Sequence, residues 1–369
     1  MRRIAVAALW LTVGGLGACG GGGGGDAGAG ADAGAGADAG AGAETGAGAE
    51  TGAGAETGAG AETGAETETG AEAETGAETG AGAETETDLG GEVGPGERAC
   101  NGAAVLCGRR FDEVAFATAH NAMSNADDEW VFPNQGHGIS RQLEDGVRGF
   151  MLDTHDDKGV AMLCHGTCLA GSEPLVDGLG RFRDFLDAHP DEVVSIIFEA
   201  YISAEATAAA FEAAGLTGRL HAQPPGAPWP TLGELLDAGT PMVVFTDRPD
   251  GGPAWYHDVW EHAFETDFSN QTPADLDCRK GRGSASNALF ILNHFLTDPV
   301  AFPELAESVN HDPFFLDTAE ACEERWSHIP NFVTVDFYDI GDLFAVTDAL
   351  NGLGTRPLEP APRPAPEAP

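Results

Sequence analysis

From about residue 100 onward, short apolar runs alternate with stretches of helical period. The runs fall at 114–118, 149–153, 160–164, 193–198, Met242–Thr246, Leu289–Asn293 and 332–337, with a weaker eighth at 216–221. Apolar character that is nearly continuous, rather than alternating, marks strands buried on both faces, as in a parallel sheet covered by helices. Between the runs, Ile139–Asp145, Leu175–Ala188, 204–214, 232–238 and 303–307 place apolar residues at helical spacing. Strand followed by helix, about eight times over, predicts an α/β sheet curled into a (β/α)8 barrel, imperfectly closed.

The polar residues then fall in a pattern. His120 and Asn121 follow the first run and Asp153 ends the second. His165 follows the third, Glu199 the fourth, and Asp247 follows Met242–Thr246. Asn293 and His294 end the seventh, and Asp336 lies in the last. Barrel enzymes assemble their sites from these carboxyl-terminal strand ends. One ionisable residue at a strand end is a bland observation; one on nearly every strand is more than solubility asks for. His294 is the open case, equally readable as pocket lining or core, and His155 reads as an outward or rim residue.

The 369 residues are not all fold. Residues 1–19 read as an export signal: Arg2 and Arg3, an apolar stretch from Ile4 to Val13, then Leu16-Gly17-Ala18-Cys19. That ending is similar to the lipobox of bacterial lipoproteins, which implies lipid on Cys19 and an exported protein at the cell envelope or surface, with the outer membrane as the expected site. A secreted protein is the alternative. From 20 to 98 the chain repeats Gly-Ala-Glu-Thr and Gly-Ala-Asp units with no aromatic residue, and with no Lys or Arg before Arg98. Such a segment has too little apolar surface to offset its ordering entropy, and is expected to be a disordered, self-repelling tether. Residues 354–369 form a Pro-rich tail of the same expectation. The 99–353 remainder is the length of one barrel domain.

The net charge is −42, and most of the 60 acidic residues lie outside the tether, so the folded part is acidic as well. That excludes nucleic acid, whose phosphates need Lys and Arg, and disfavours anionic membranes. It suits a bound divalent cation or a salty habitat. A monomer is expected.

Apart from Cys19 there are six cysteines, an even number that suits disulfides in an exported protein. Local pairing gives Cys100–Cys107, Cys164–Cys168 and Cys278–Cys322, one of fifteen possible pairings. Cys164 and Cys168 have a rival reading as metal ligands. Zinc usually recruits further Cys or His at short spacing, and none follows closely here. A disulfide that stiffens the loop carrying His165 is preferred.

Two histidines and an acid at strand ends suit phosphodiester cleavage by a neighbouring hydroxyl. One His accepts the hydroxyl proton, the other protonates the leaving oxygen, and a positive charge steadies the phosphorane-like transition state. Asn121, Asp153 and Glu199 offer one amide and two carboxylate oxygens, a set that suits Ca²⁺ better than Zn²⁺. Arg279, Lys280 and Arg282 form the only dense basic cluster; a solvated loop is the preferred reading and a contact to a phosphorylated ligand the rival.

Ala117-Thr118-Ala119-His120-Asn121, Gly146-Val147-Arg148-Gly149-Phe150-Met151-Leu152-Asp153, Leu163-Cys164-His165-Gly166 and Val333-Thr334-Val335-Asp336-Phe337-Tyr338 resemble the X-domain of phosphatidylinositol-specific phospholipases C. Residues 130–135 and 241–246 are similar to its single-domain exported members in plants, fungi and bacteria. The resemblance implies a distorted TIM barrel of the PLC-like phosphodiesterase type. It also implies attack of the inositol 2-hydroxyl on the phosphate, giving diacylglycerol and a cyclic inositol phosphate. His120 and His165 would be the catalytic pair, with Asp336 orienting His120. Asn293 and His294 are the further residues expected to bind substrate.

Metal-independent bacterial members carry Arg where this chain has Asp153. Calcium-dependent members carry Asp there, with Asn after the first His and Glu after the fourth strand, as in Asn121, Asp153 and Glu199. They also carry Glu two residues earlier, where this chain has Met151. Two rivals remain: another barrel phosphodiesterase acting on glycerophosphodiesters or sphingomyelin, and a non-catalytic lipoprotein that binds a phosphorylated head group.

Overall fold

The computed structural model describes residues 98–354. Cys19, the 20–97 part of the expected tether and the tail from 355 lie outside the described residues. In chain order the elements are β1 (Phe116–Ala119), α1 (Ile139–Asp145), β2 (Gly149–Asp157), β3 (Val160–Leu163), β4 (Glu173–Pro174), α2 (Leu175–Ala188), β5 (Val194–Ala200) and α3 (Ala204–Ala213). They continue as α4 (Leu232–Asp237), β6 (Met242–Thr246), β7 (Tyr256–Asp258), α5 (Val259–His262), β8 (Ala263–Thr266) and β9 (Lys280–Gly283). The last are β10 (Leu289–Asn293), α6 (Pro303–Val309), α7 (Phe314–Trp326), β11 (Phe332–Val335) and α8 (Leu343–Leu350).

The strand order is β7-β6-β5-β2-β1-β11-β10-β8, every neighbouring pair parallel, with β9 antiparallel on β8. The expected α/β barrel is therefore present in distorted form. The path ends at β7 on one side and β9 on the other, so the ring is left open there.

Period-two alternation divides the core. Phe116, Ile197, Val243, Phe245, Leu289, Ile291 and Phe332 belong to one buried cluster, together with Phe111 and Trp229. Their neighbours Ala117, Ile196, Phe198, Val244, Phe290 and Val333 belong to a second, which also contains Leu179 and Phe182 of α2, Phe211 of α3 and Val346 of α8. The first face looks into the ring and the second packs under the helices. With both faces buried, each strand reads as a near-continuous apolar run.

Three expectations are corrected. The 160–164 run forms β3, but it pairs antiparallel with β2 as a hairpin and is not a ring strand. The 216–221 run gives a single 3-10 turn at Thr217–Arg219 and one isolated bridge from Leu220 to Met242. The missing ring strands are β7 and β8, of three and four residues and joined directly through α5. They are too short and too polar to stand out by periodicity.

Candidate active site

The alternation that fills the ring also builds the site. Counting by two along the inward face, Phe116 and Thr118 lead to His120, and Ile197 leads to Glu199. Val243 and Phe245 lead to Asp247, Leu289 and Ile291 to Asn293, and Phe332 and Thr334 to Asp336. Asp153 pairs in register with Glu199 across β2 and β5. His120, Asn121, Met151, Asp153, Glu199, Asp247 and Asn293 line one cleft of about 300 Å³ at the carboxyl ends of the strands.

His120 is fixed from three sides. Its Nδ1 donates to Asp336 Oδ1 at 2.9 Å, its ring stacks on Phe295 at 3.9 Å, and its carbonyl accepts from Gln135 Nε2 at 2.7 Å. Asn134 Nδ2 also donates to Asp336 Oδ1, at 2.9 Å. Nε2 is the ring nitrogen left for the cleft. Burial works against its imidazolium, but the Asp336 carboxylate and its hydrogen bond, with Asp153 and Glu199, hold the His120 pKa above its ordinary value.

His165 sits beyond β3 on an exposed loop, and its Nε2 lies 3.3 Å from Asn121 Nδ2. Burial, and then repulsion from His120, hold its pKa below the ordinary value. Asn121 itself has φ +46°. This left-handed turn, which Asn tolerates well, points the chain out of β1 between the two histidines.

Asp153 is 5% exposed and its carboxylate has no hydrogen-bond partner among the described residues. Burial, then repulsion from Glu199, push its pKa up to about 8. Asp247 is raised as well, chiefly by burial. Glu199 is held by the Tyr201 hydroxyl and by Arg248 Nη2 at 3.2 Å, and Arg248 lies 3.8 Å over the Tyr201 ring. Arg282 pairs with buried Glu265 at 2.6 Å and sits over Trp260 and Phe268. Two guanidinium groups thus line a cleft that also carries four carboxylates, Asp153, Glu199, Asp247 and Glu265.

Asn293 lines the cleft, where its Nδ2 donates to Glu265 at 3.1 Å and to Thr266 O. His294, expected beside it on substrate, is out of phase. It is fully buried, stacks on Phe315 at 4.0 Å, and its Nε2 donates to Val309 O. A residue following an inward one faces the helices, so His294 belongs to the core. His155 stacks on Tyr201 at the rim. Arg248, Glu265 and Tyr201 were not singled out from the sequence: Glu265 lies in the missed strand β8, and Arg248 reaches the cleft from an outward phase by its length alone.

Cys100–Cys107, Cys164–Cys168 and Cys278–Cys322 are joined as disulfides. Among the described residues no group of three or more His, Cys, Asp or Glu side chains is arranged to hold a metal ion, and no helix is long and apolar enough to cross a membrane. Met151, two residues before Asp153, lines the cleft with a thioether and no oxygen.

The chain is similar to a PI-PLC X domain-containing protein of Arabidopsis thaliana, 28% identical over 287 residues, covering 69% of this chain and 66% of that protein. It is similar to an uncharacterized secreted protein of Arthroderma benhamiae, 27% identical, covering 69% and 64%. PI-PLC X domain-containing protein 1 of the same fungus is 28% identical, covering 69% and 90%. The chain thus spans just under two thirds of the length of the first two relatives. Among solved structures, a phosphatidylinositol-specific phospholipase C of S. aureus is 15% identical with a TM-score of 0.47, covering 66% of this chain and 94% of that one. The family model PI-PLC X 1 matches residues 106–351, which takes in every cleft residue named above, and the chain therefore belongs to the PI-PLC X-domain family.

Proposed function

We propose that this protein is a phospholipase C-type phosphodiesterase acting on phosphatidylinositol-type lipids. The observation that carries the reading is the pair of histidines, the first lining the cleft and backed by a buried carboxylate at 2.9 Å, the second on the loop beside it and in contact with the cleft residue Asn121 at 3.3 Å. His120 Nε2 takes the proton of the inositol 2-hydroxyl, whose oxygen attacks phosphorus. The bond to the glycerol oxygen breaks as His165 delivers a proton to it. Diacylglycerol and a cyclic inositol phosphate result. Asp336 keeps His120 in the tautomer with Nε2 free and steadies the imidazolium that forms.

The surroundings of the two histidines alone lean the other way, His120 toward imidazolium and His165 toward neutral. A phosphodiester anion beside His165 favours a proton there, so substrate binding sets the productive pair. Arg248 and Arg282 supply positive charge for the phosphate and the head group.

A divalent cation, best Ca²⁺, fits the remaining chemistry: Asp153 is a buried carboxylate without a partner, and Glu199 is its register neighbour. Asn121 uses Nδ2 on His165, which leaves Oδ1 as a ligand. When bound, such an ion would neutralise charge on the phosphate oxygens. Met151 adds no donor, so the affinity rests on three side chains. The membrane substrate is met by exposed apolar residues on loops around the strand ends: Phe132 at 59%, Leu169 at 95% and Phe302 at 37% exposure. Disulfides and the secreted relative support export, with a lipid on Cys19 as the proposed anchor.

The test is release of cyclic inositol phosphate from phosphatidylinositol vesicles by the purified protein, with Ca²⁺ and with EDTA. Turnover abolished by His120→Ala and by His165→Ala supports the reading. Vesicle binding without turnover would instead favour the head-group-binding lipoprotein, the reading that Met151 in the cleft favours.

A further inference from the structure

The two histidines are held by different means. His120 ends a strand, hydrogen-bonds to Asp336 and stacks on Phe295. His165 has none of this. It is exposed, as are Gly166 and Thr167 after it, and its ring makes one hydrogen bond among the described residues, the 3.3 Å contact with Asn121. Its neighbours remove some water from the ring, but no partner stacks on it or orients it as Phe295 and Asp336 do for His120.

What does hold it is covalent. Cys164 and Cys168 are joined four residues apart, and His165 is the second residue of the ring they close. The first half-cystine is fully buried, and its N–H donates to Asp153 O at 3.3 Å, which anchors the ring to β2. Inside the ring Gly166 takes φ +65°, and Thr167 N–H donates back to His165 O at 2.6 Å. Beyond it, Val131 N–H donates to Ala170 O at 2.7 Å, the next anchor along the chain. Of the other two disulfides, Cys100–Cys107 encloses no residue of the cleft, and Cys278–Cys322 encloses Arg282 and Asn293 only within a span of 44 residues, too long to fix one side chain.

We propose that the Cys164–Cys168 disulfide is the positioning element for His165, and that its reduction switches the site off. The inference rests on the reading of His165 as the proton donor. Cys168 is only partly buried and is followed by Leu169, which is 95% exposed, so a thiol can approach its sulfur. A dithiol reductant attacks Cys168 Sγ as thiolate, and Cys164 leaves as thiolate and takes up a proton. The reductant's second thiol then displaces Cys168, which is protonated in turn. Two electrons and two protons pass to the protein, and the reductant departs as its own cyclic disulfide. The ring opens and His165 is left on an untethered loop.

The experiment compares the native protein, the double variant Cys164→Ser/Cys168→Ser and the double variant Cys100→Ser/Cys107→Ser. The readouts are kcat and KM on phosphatidylinositol vesicles and amide hydrogen exchange across 164–170. Loss of the ring is expected to lower kcat roughly 100-fold, the scale set by displacing a catalytic group by about 1 Å. KM should be unchanged, and exchange at Thr167 and Ala170 faster. Dithiothreitol on the native protein should give the same fall, restored by reoxidation, whereas the Cys100 variant should keep its kcat. Retained kcat in the Cys164 variant overturns the proposal, and so does unchanged exchange. If the native protein turns over no phosphatidylinositol, the proposed function fails on its own. Exchange at 164–170 then decides the positioning claim, which unchanged protection would overturn.

Discussion

Asp336 Oδ1 accepts two hydrogen bonds at 2.9 Å, one from His120 Nδ1 and one from Asn134 Nδ2. A carboxylate held in this way sets which nitrogen of His120 is left for chemistry and how strongly that ring holds a proton. Asp336→Asn keeps the shape and removes the charge. It should lower kcat roughly 1,000-fold or more with KM little changed, read by release of cyclic inositol phosphate.

The same pair fixes a pH dependence. The proposed mechanism needs one proton shared between two histidines, so kcat/KM should be bell-shaped. The acidic limb should report His165, whose pKa is lowered, and the alkaline limb His120, whose pKa is raised. Asp336 raises the His120 value, so Asp336→Asn should move the alkaline limb to lower pH and narrow the bell. A limb that stays in place would detach His120 from it.

Asp153 should oppose folding when it is ionised. Its folded pKa is raised from 3.8 to about 8. The folded state therefore binds the extra proton, and stability falls as pH rises from near 4 toward 8. Asp153→Asn should raise the Tm by about 5 °C or more at pH 8, with the difference vanishing toward pH 4. Millimolar Ca²⁺ should raise the native Tm and leave that of Asp153→Asn unchanged. Calorimetry checks both.

Arg248 reaches the cleft through Glu199 and the Tyr201 ring. Arg248→Ala should lower kcat/KM about 10- to 100-fold if Arg248 serves the phosphate as proposed, a charged hydrogen-bond donor then being lost. Arg248→Lys should recover only part of this, because an ammonium lacks the planar fork that lies on tyrosine. Steady-state kinetics on a soluble phosphodiester substrate separates this from membrane binding.

Phe150 is fully buried in β2 and meets Phe182 of α2 edge-on at 4.8 Å. Phe150→Ala should destabilise the fold by about 3–5 kcal/mol, measured by urea denaturation.

Much of this was legible in the chain, for a stated reason. Met242–Thr246 and Leu289–Asn293 are strands with the bounds their apolar runs gave. The inward residue after each, or at its end, is polar because the ring stops being filled there. That rule found His120, Asp153, Glu199, Asn293 and Asp336. It misplaced His294 because a period of two must be counted from a known inward residue, and the step from Asn293 to His294 crosses to the other face. It missed Glu265 because β8 has only four residues. The β3 run was apolar enough for a ring strand, but the turn after Asp157 sends it back along β2, and apolarity does not encode direction.

The gap between β7 and β8 has a mechanical meaning. A closed ring of strands is a hoop: a load applied at one point is carried round both ways. An open one is a clasp, with the hinge opposite the opening. Here β1 stands between β2 and β11, well away from both ends of the path. His120 and Asp336 therefore sit on the back of the clasp. Glu199 and Arg248 follow one arm, and Glu265 and Arg282 the other. The clasp is fastened: the four residues of α5 join β7 directly to β8, so the two arms and the charged mouth they carry are held at a set width.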